Sequence, residues 1–128
     1  MTIDDGQLAM KENAVKDKSF AFAIRIVNLY RFLCTDKKVF VISKQILRSG
    51  TAIGALVREA EQAESKPDFV HELAIALKEA NETEYWIFLL QETGYLNANE
   101  SESIIKDNKE LLKLLTSIIN STKQRMVQ

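Results

Sequence analysis

Apolar residues recur along most of the chain at alternating steps of three and four, the spacing of one face of a helix packed against other helices. A first segment, from about Val15 to Cys34, carries Phe20, Ala23, Val27, Tyr30 and Cys34 at these steps. Thr35-Asp36-Lys37-Lys38 interrupts it, with Asp36 placed to cap the next helix. The second segment runs Val39, Ile42, Ile46, Ser49, Ile53, Leu56, Ala60, Ala63 and ends near Ser65. There Ser65-Lys66-Pro67-Asp68 reads as a stop and a restart: the serine caps, the proline fits the first turn, and the aspartate suits the positive end of the helix dipole. The third segment shows Phe69, Leu73, Ala76, Ala80, Thr83, Ile87 and Leu90, and Gly94 closes it. Asn99 and Glu102 then form a capping box ahead of Ile104, Asn108, Leu111, Leu115, Ile118 and Thr122.

Four such stretches joined by a few residues predict an all-α, antiparallel, up-and-down four-helix bundle. Segments of roughly 20 to 28 residues give helices about 30 to 42 Å long. Residues 1–128 read as one domain, with 1–13 a flexible arm and 123–128 a frayed tail. One proline and four glycines leave few of the turn signals that a sheet protein needs.

Some segments are more apolar than one bundle needs. Phe20 to Leu33 is apolar nearly all round, Tyr85 to Leu90 covers every direction of its turns, and Ile105, Leu112 and Ile119 add a second stripe to the fourth segment. Such surface predicts a homo-oligomer. Gly50 and Gly54, one turn apart among small residues, each cost a helix about 1 kcal/mol relative to alanine, which close approach of another helix would offset.

Charge adds an asymmetry. The net charge is −1, yet residues 16–48 hold Lys16, Lys18, Arg25, Arg31, Lys37, Lys38, Lys44 and Arg48 against Asp17 and Asp36. Residues 67–128 are acidic. The basic half could meet an anionic partner, or the two halves could attract each other within an assembly. Candidate nucleic-acid contacts are Arg25, Arg31, Lys37, Lys38, Lys44 and Arg48, although a pI near 5.9 lies below that of typical nucleic-acid binders.

Reaction chemistry is sparse. Asp68-x-x-His71 has the spacing of a di-iron ligand pair, but His71 is the one histidine and has no second copy to work with. Cys34 is the one cysteine and lies on an apolar stripe. Glu59, Glu61 and Glu64, and then Glu79, Glu82 and Glu84, read as solvated faces or partners of Arg58 and Lys78. No phosphate-binding glycine loop occurs, and no apolar run reaches the length of a membrane span. The expectation is a protein without catalytic residues, metal or cofactor, in a bacterial cytoplasm.

Gln45-Ile46-Leu47-Arg48-Ser49-Gly50-Thr51-Ala52-Ile53-Gly54-Ala55, followed by Arg58-Glu59-Ala60, resembles the second-helix signature of the 23S rRNA-intervening-sequence four-helix-bundle proteins. Ala76 to Thr83 leading into Trp86, Glu92 to Leu96, and Lys18-Ser19-Phe20 agree, so the likeness spans roughly residues 16–120. The resemblance marks Arg48, Ser49, Gly50, Ile53, Gly54, Arg58, Glu59, Glu82 and Trp86 as signature positions. It implies an up-and-down bundle assembled as a homopentameric barrel, and supplies no catalytic residue. Members were first noticed as reading frames inside insertions of bacterial large-subunit rRNA genes. Relatives serve diversity-generating retroelements, where a basic pentamer contacts reverse transcriptase and RNA; this chain departs from them in its net acidity. The leading expectation is a non-enzymatic, homo-oligomeric assembly protein with a macromolecular partner. The second is an accessory factor that binds RNA, or an RNA-handling protein, through the six basic residues.

Overall fold

A computed structural model describes residues 4–127, so Met1–Ile3 of the expected arm and Gln128 of the expected tail lie outside the described residues. Four helices account for nearly all of it: α1 (Asp5–Thr35), α2 (Val41–Ala60), α3 (Lys66–Glu92) and α4 (Ala98–Met126). Each packs on its chain neighbours and α4 closes back on α1, while the backbones of the two diagonal pairs stay apart among the described residues. The fold is an all-α antiparallel four-helix bundle.

Local chemistry explains where the helices start. The Asp4 side chain accepts from the Gln7 N–H at 2.7 Å, and Gln7 answers the Asp4 N–H, so a capping box starts α1. Helix α1 therefore begins ten residues before Val15, and the described part of the arm is helical. It is also tied down: the Lys11 ammonium donates to the Ser117 hydroxyl, and Asp5 pairs with Arg125. That pair likewise holds the expected frayed tail, which continues α4 as far as Met126.

Ser65 caps α3 as the sequence indicated, accepting from the Asp68 N–H at 3.2 Å. Gly94 takes φ +83°, the left-handed conformation that suits glycine after a helix. Two other boundaries differ. The capping box of α4 is Asn97 with Glu100, two residues before Asn99 and Glu102, because burial of Leu96 fixes the entry of the chain. Asp36 ends α1, its N–H donating to the Phe32 carbonyl, instead of capping α2. Helix α2 starts after Phe40 with no side-chain cap, and stops at Ala60, short of Ser65.

The buried stripes of α4 and, from Leu73 on, of α3 follow the expected positions, and that of α2 does at Ile46, Ser49, Ile53 and Ala60 while burying Ser43 and Val57 in place of Ile42 and Leu56. That of α1 does not: it is Val15, Ser19, Phe22, Ile26, Leu29 and Leu33, while Phe20 is 65% exposed. On α4 the second stripe turns inward as well, with Ile105 and Ile119 buried in the chain's own core and Leu112 packed at its edge. Burying one Ile, Leu or Phe side chain contributes about 1.5–3 kcal/mol, so this core is the main source of stability.

Polar pairs fix the helix registers inside that core. The Ser49 and Thr83 hydroxyls lie 2.9 Å apart, both residues fully buried, between α2 and α3. Between α3 and α4, the Asn108 amide donates to the Ala80 carbonyl at 2.9 Å.

Candidate interaction surfaces

The charge asymmetry is partly resolved inside one molecule. Lys18 pairs with Glu110 at 3.1 Å and Arg25 with Asp107 at 2.6 Å, both joining α1 to α4. Arg48 pairs with Glu79 at 3.0 Å and with Glu82, joining α2 to α3. The basic half and the acidic half thus face each other within the bundle. Two of the six candidate nucleic-acid contacts, Arg25 and Arg48, are held by carboxylates on opposite sides of the molecule.

The remaining four lie at the end of the bundle where α1 turns into α2. Arg31, at the end of α1, Lys37 and Lys38 in the turn, and Lys44, in the first turns of α2, are all exposed. None forms an ion pair among the described residues. The turn between them is well anchored. Val39 is buried and its N–H donates to the Leu33 carbonyl at 2.9 Å. Fully buried Ser43 donates its hydroxyl to the Phe40 carbonyl at 3.1 Å. Lys38 takes φ +58°, unusual for a side chain larger than glycine or asparagine. The Lys37 ammonium lies 5.6 Å from the centre of the Phe32 ring. Phe40 (56% exposed) and Val41 (77% exposed) are left projecting among the cations.

A second surface lies where α1 and α2 meet on the outside. Phe20, Ala23, Thr51, Gly54, Ala55 and Arg58 line an open groove of about 520 Å³. Ile24, one turn on from Phe20, is 51% exposed. The signature run of small residues explains how close these helices come. A side-chain carbon on Gly50 would lie 2.7 Å from Ile26, and one on Gly54 3.2 Å from the Ser19 carbonyl oxygen. Ile53 is fully buried beside them. Arg58 and Glu59 are exposed and form no ion pair among the described residues, whereas Glu82 joins α3 to α2 through Arg48. On α3, Tyr85 and Phe88 are exposed, and half-buried Trp86 sets its ring edge-on to Tyr85 with centroids 5.1 Å apart.

His71 and Cys34 do not come together among the described residues. His71 is exposed. The Cys34 sulfur sits 3.5 Å from the Ser43 hydroxyl, in the shell beneath the α1–α2 turn. Among the described residues no group of three or more His, Cys, Asp or Glu side chains could hold a metal ion. No helix among them is long and apolar enough to cross a membrane. At the far end of the bundle, beyond the end of α2, a cavity of about 540 Å³ opens between Glu12, Lys16, Glu61, Lys66 and an apolar floor. Burial raises the Glu12 carboxyl above its ordinary range, and Glu61 nearby adds to this while Arg125 opposes it.

The sequence profile of the 23S rRNA-intervening sequence proteins matches residues 11–117. A crystal structure of a protein with unknown function, from the S23 ribosomal protein family of Bacteroides thetaiotaomicron VPI-5482, is similar over 86% of this chain and 98% of its own, with 63% identity and a TM-score of 0.85. No curated protein matches.

Proposed function

We infer the function from one premise: the chain belongs to the family of 23S rRNA-intervening sequence proteins. Within it we read this protein as a non-enzymatic scaffold that assembles with copies of itself and offers the assembled surface to another macromolecule. The observation that supports this most is the α1–α2 groove. Phe20 and Ile24 project from α1 beside a face of α2 where Thr51, Gly54 and Ala55 leave room and Arg58 stands at the edge, a shape that a partner helix can enter closely. Self-burial there is the ordinary outcome for such a surface, and the family resemblance suggests a ring of five. A bacterial cytoplasm suits a chain whose lone thiol, Cys34, has no partner for an internal disulfide.

Light scattering with size exclusion across a dilution series tests the reading. The expected mass is a constant multiple of 14.6 kDa, fivefold for the ring. Phe20→Glu with Ile24→Glu is expected to shift it to one copy with the helix content intact. A folded monomer at every concentration would remove the scaffold reading.

A second reading is favoured by one observation, the four unpaired cations at the α1–α2 turn. On it the protein is an accessory factor that contacts RNA, and the contact surface narrows from six residues to Arg31, Lys37, Lys38 and Lys44.

A further inference from the structure

We propose that the α1–α2 turn is a grip for single-stranded nucleic acid, in which Phe40 stacks on an unpaired base while Arg31, Lys37, Lys38 and Lys44 hold the flanking phosphates. This rests on the second reading above and deepens it, since it names the strand form and the residue that reads it.

Three features support it independently of one another. The first is charge held in no ion pair among the described residues. Lys18, Arg25 and Arg48 are neutralised by Glu110, Asp107, Glu79 and Glu82. Between Arg31 and Lys44, by contrast, Asp36 is the one acid in sequence, and all four cations are exposed, the Lys37 ammonium beside the Phe32 ring. The second is the projecting ring. A phenylalanine 56% exposed loses hydrophobic stabilisation unless something covers it, and the face of a base is an apolar partner tolerated beside ammonium groups. The third is rigidity. Val39 and Ser43 anchor the turn on both sides of Phe40, so the ring is held ready and little ordering is needed when a base arrives.

The ring also sets the form of the strand. Bases in a duplex have both faces covered by their neighbours, so an aromatic platform can engage only one that is unstacked. The same geometry argues against a lipid surface. A bilayer rewards several apolar side chains reaching one depth. Here Val39 is buried and Ile42 packs against the core, which leaves a single aromatic and a single valine outside.

Fluorescence anisotropy of a labelled twelve-nucleotide uridine strand, with a duplex of the same length and anionic lipid vesicles in parallel, decides the matter. Four phosphate contacts predict that log K falls against log salt with a slope of about −3 for a single strand. Phe40→Ala is expected to weaken single-strand binding by about 5- to 140-fold with that slope unchanged, because it removes stacking and no charge. Lys37→Glu, Lys38→Glu and Lys44→Glu together are expected to abolish binding, while Arg25→Ala, whose charge Asp107 already holds, has little effect. These side chains are exposed, so thermal melting by circular dichroism should report intact folding for each variant. Single-strand binding that ignores Phe40→Ala, or a duplex held as tightly, overturns the stacking grip while leaving an RNA-binding surface elsewhere. Vesicle capture that Phe40→Ala abolishes, without strand binding, overturns it in favour of a lipid. Absence of strand binding at low salt, where phosphate contacts are strongest, sinks the second reading itself together with this inference.

Discussion

Replacing Gly50 by alanine tests the closest approach in the bundle. In an open helix the change would stabilise by about 1 kcal/mol, because glycine pays more backbone entropy. Here the added methyl would sit 2.7 Å and 2.8 Å from Cγ1 and Cγ2 of Ile26, and 3.0 Å from its Cδ1. Carbon atoms rest about 3.5–4.0 Å apart, so both branches of the isoleucine are struck at once. Rotation about its first side-chain bond cannot relieve both, and Ile26 is fully buried. Overpacking of this kind costs about 1–3 kcal/mol. Set against the gain in propensity, the net loss comes to roughly 0–2 kcal/mol, each kcal/mol lowering Tm by about 3–6 °C for a chain of this size. The same change at Gly54 meets one backbone oxygen at 3.2 Å and should be near neutral. Urea or thermal melts of the two single variants, and of Gly50→Ala in an Ile26→Ala background, supply the assay. Ile26→Ala alone should cost about 2–5 kcal/mol. In the double variant the new methyl occupies vacated space, so the losses should fall short of additive by about 1–3 kcal/mol. A Gly50→Ala protein about 1 kcal/mol more stable than its parent, or strict additivity in the cycle, would refute the close contact between α1 and α2.

Two further variants probe groups that the core treats unusually. Ser49→Ala removes one hydroxyl of the buried pair and should cost about 1 kcal/mol, whereas Ser49→Ala with Thr83→Val should cost less than the two single changes combined; additive losses in chemical melts would show that the pair is not coupled. For Glu12, burial raises the carboxyl pKa above 4.5, so the folded state holds its proton more tightly than the unfolded state does. Stability from this group is therefore greatest below that ordinary value and is lost as pH rises through the raised one. Glu12→Gln should raise Tm at pH 7 and have little effect at pH 4, and a drop at pH 7 would contradict the burial argument.

Much of this architecture is legible in the sequence, and the exceptions have physical causes. On α3 and α4 the polar residues leave one phase for the stripe, and Asn108, Thr83 and Thr122 could be assigned inward from spacing alone. Helix α1 offers no such contrast. Apolar residues surround it from Phe20 to Leu33, so a stripe through Phe20 and Val27 competes with one through Phe22 and Ile26. The deciding member, Ser19, is polar and 1% exposed, because the bare backbone of Gly54 comes against it. At the start of α4, Asn97 with Glu100 and Asn99 with Glu102 have identical spacing, and only the burial of Leu96 selects between them. The N-terminal turns look like an arm because their polar side chains find partners about a hundred positions away, Lys11 at Ser117 and Asp5 at Arg125. The same limit applies to the surfaces. Composition identifies the basic residues, but which of them stay free depends on acids brought beside them by folding.

The pairing of Asp5 with Arg125 places the outer ends of the first and last helices side by side, which makes the order of helices around the bundle a closed circuit. In such a circuit no covalent join is privileged: a short bridge between those two ends and a break at the Ser65 turn would preserve each neighbouring pair. It also separates traffic at the two poles. Anything fused near Asp5 or Arg125 leaves the molecule about 46 Å, the length of the 31-residue α1, from the lysine-bearing turn at the opposite pole.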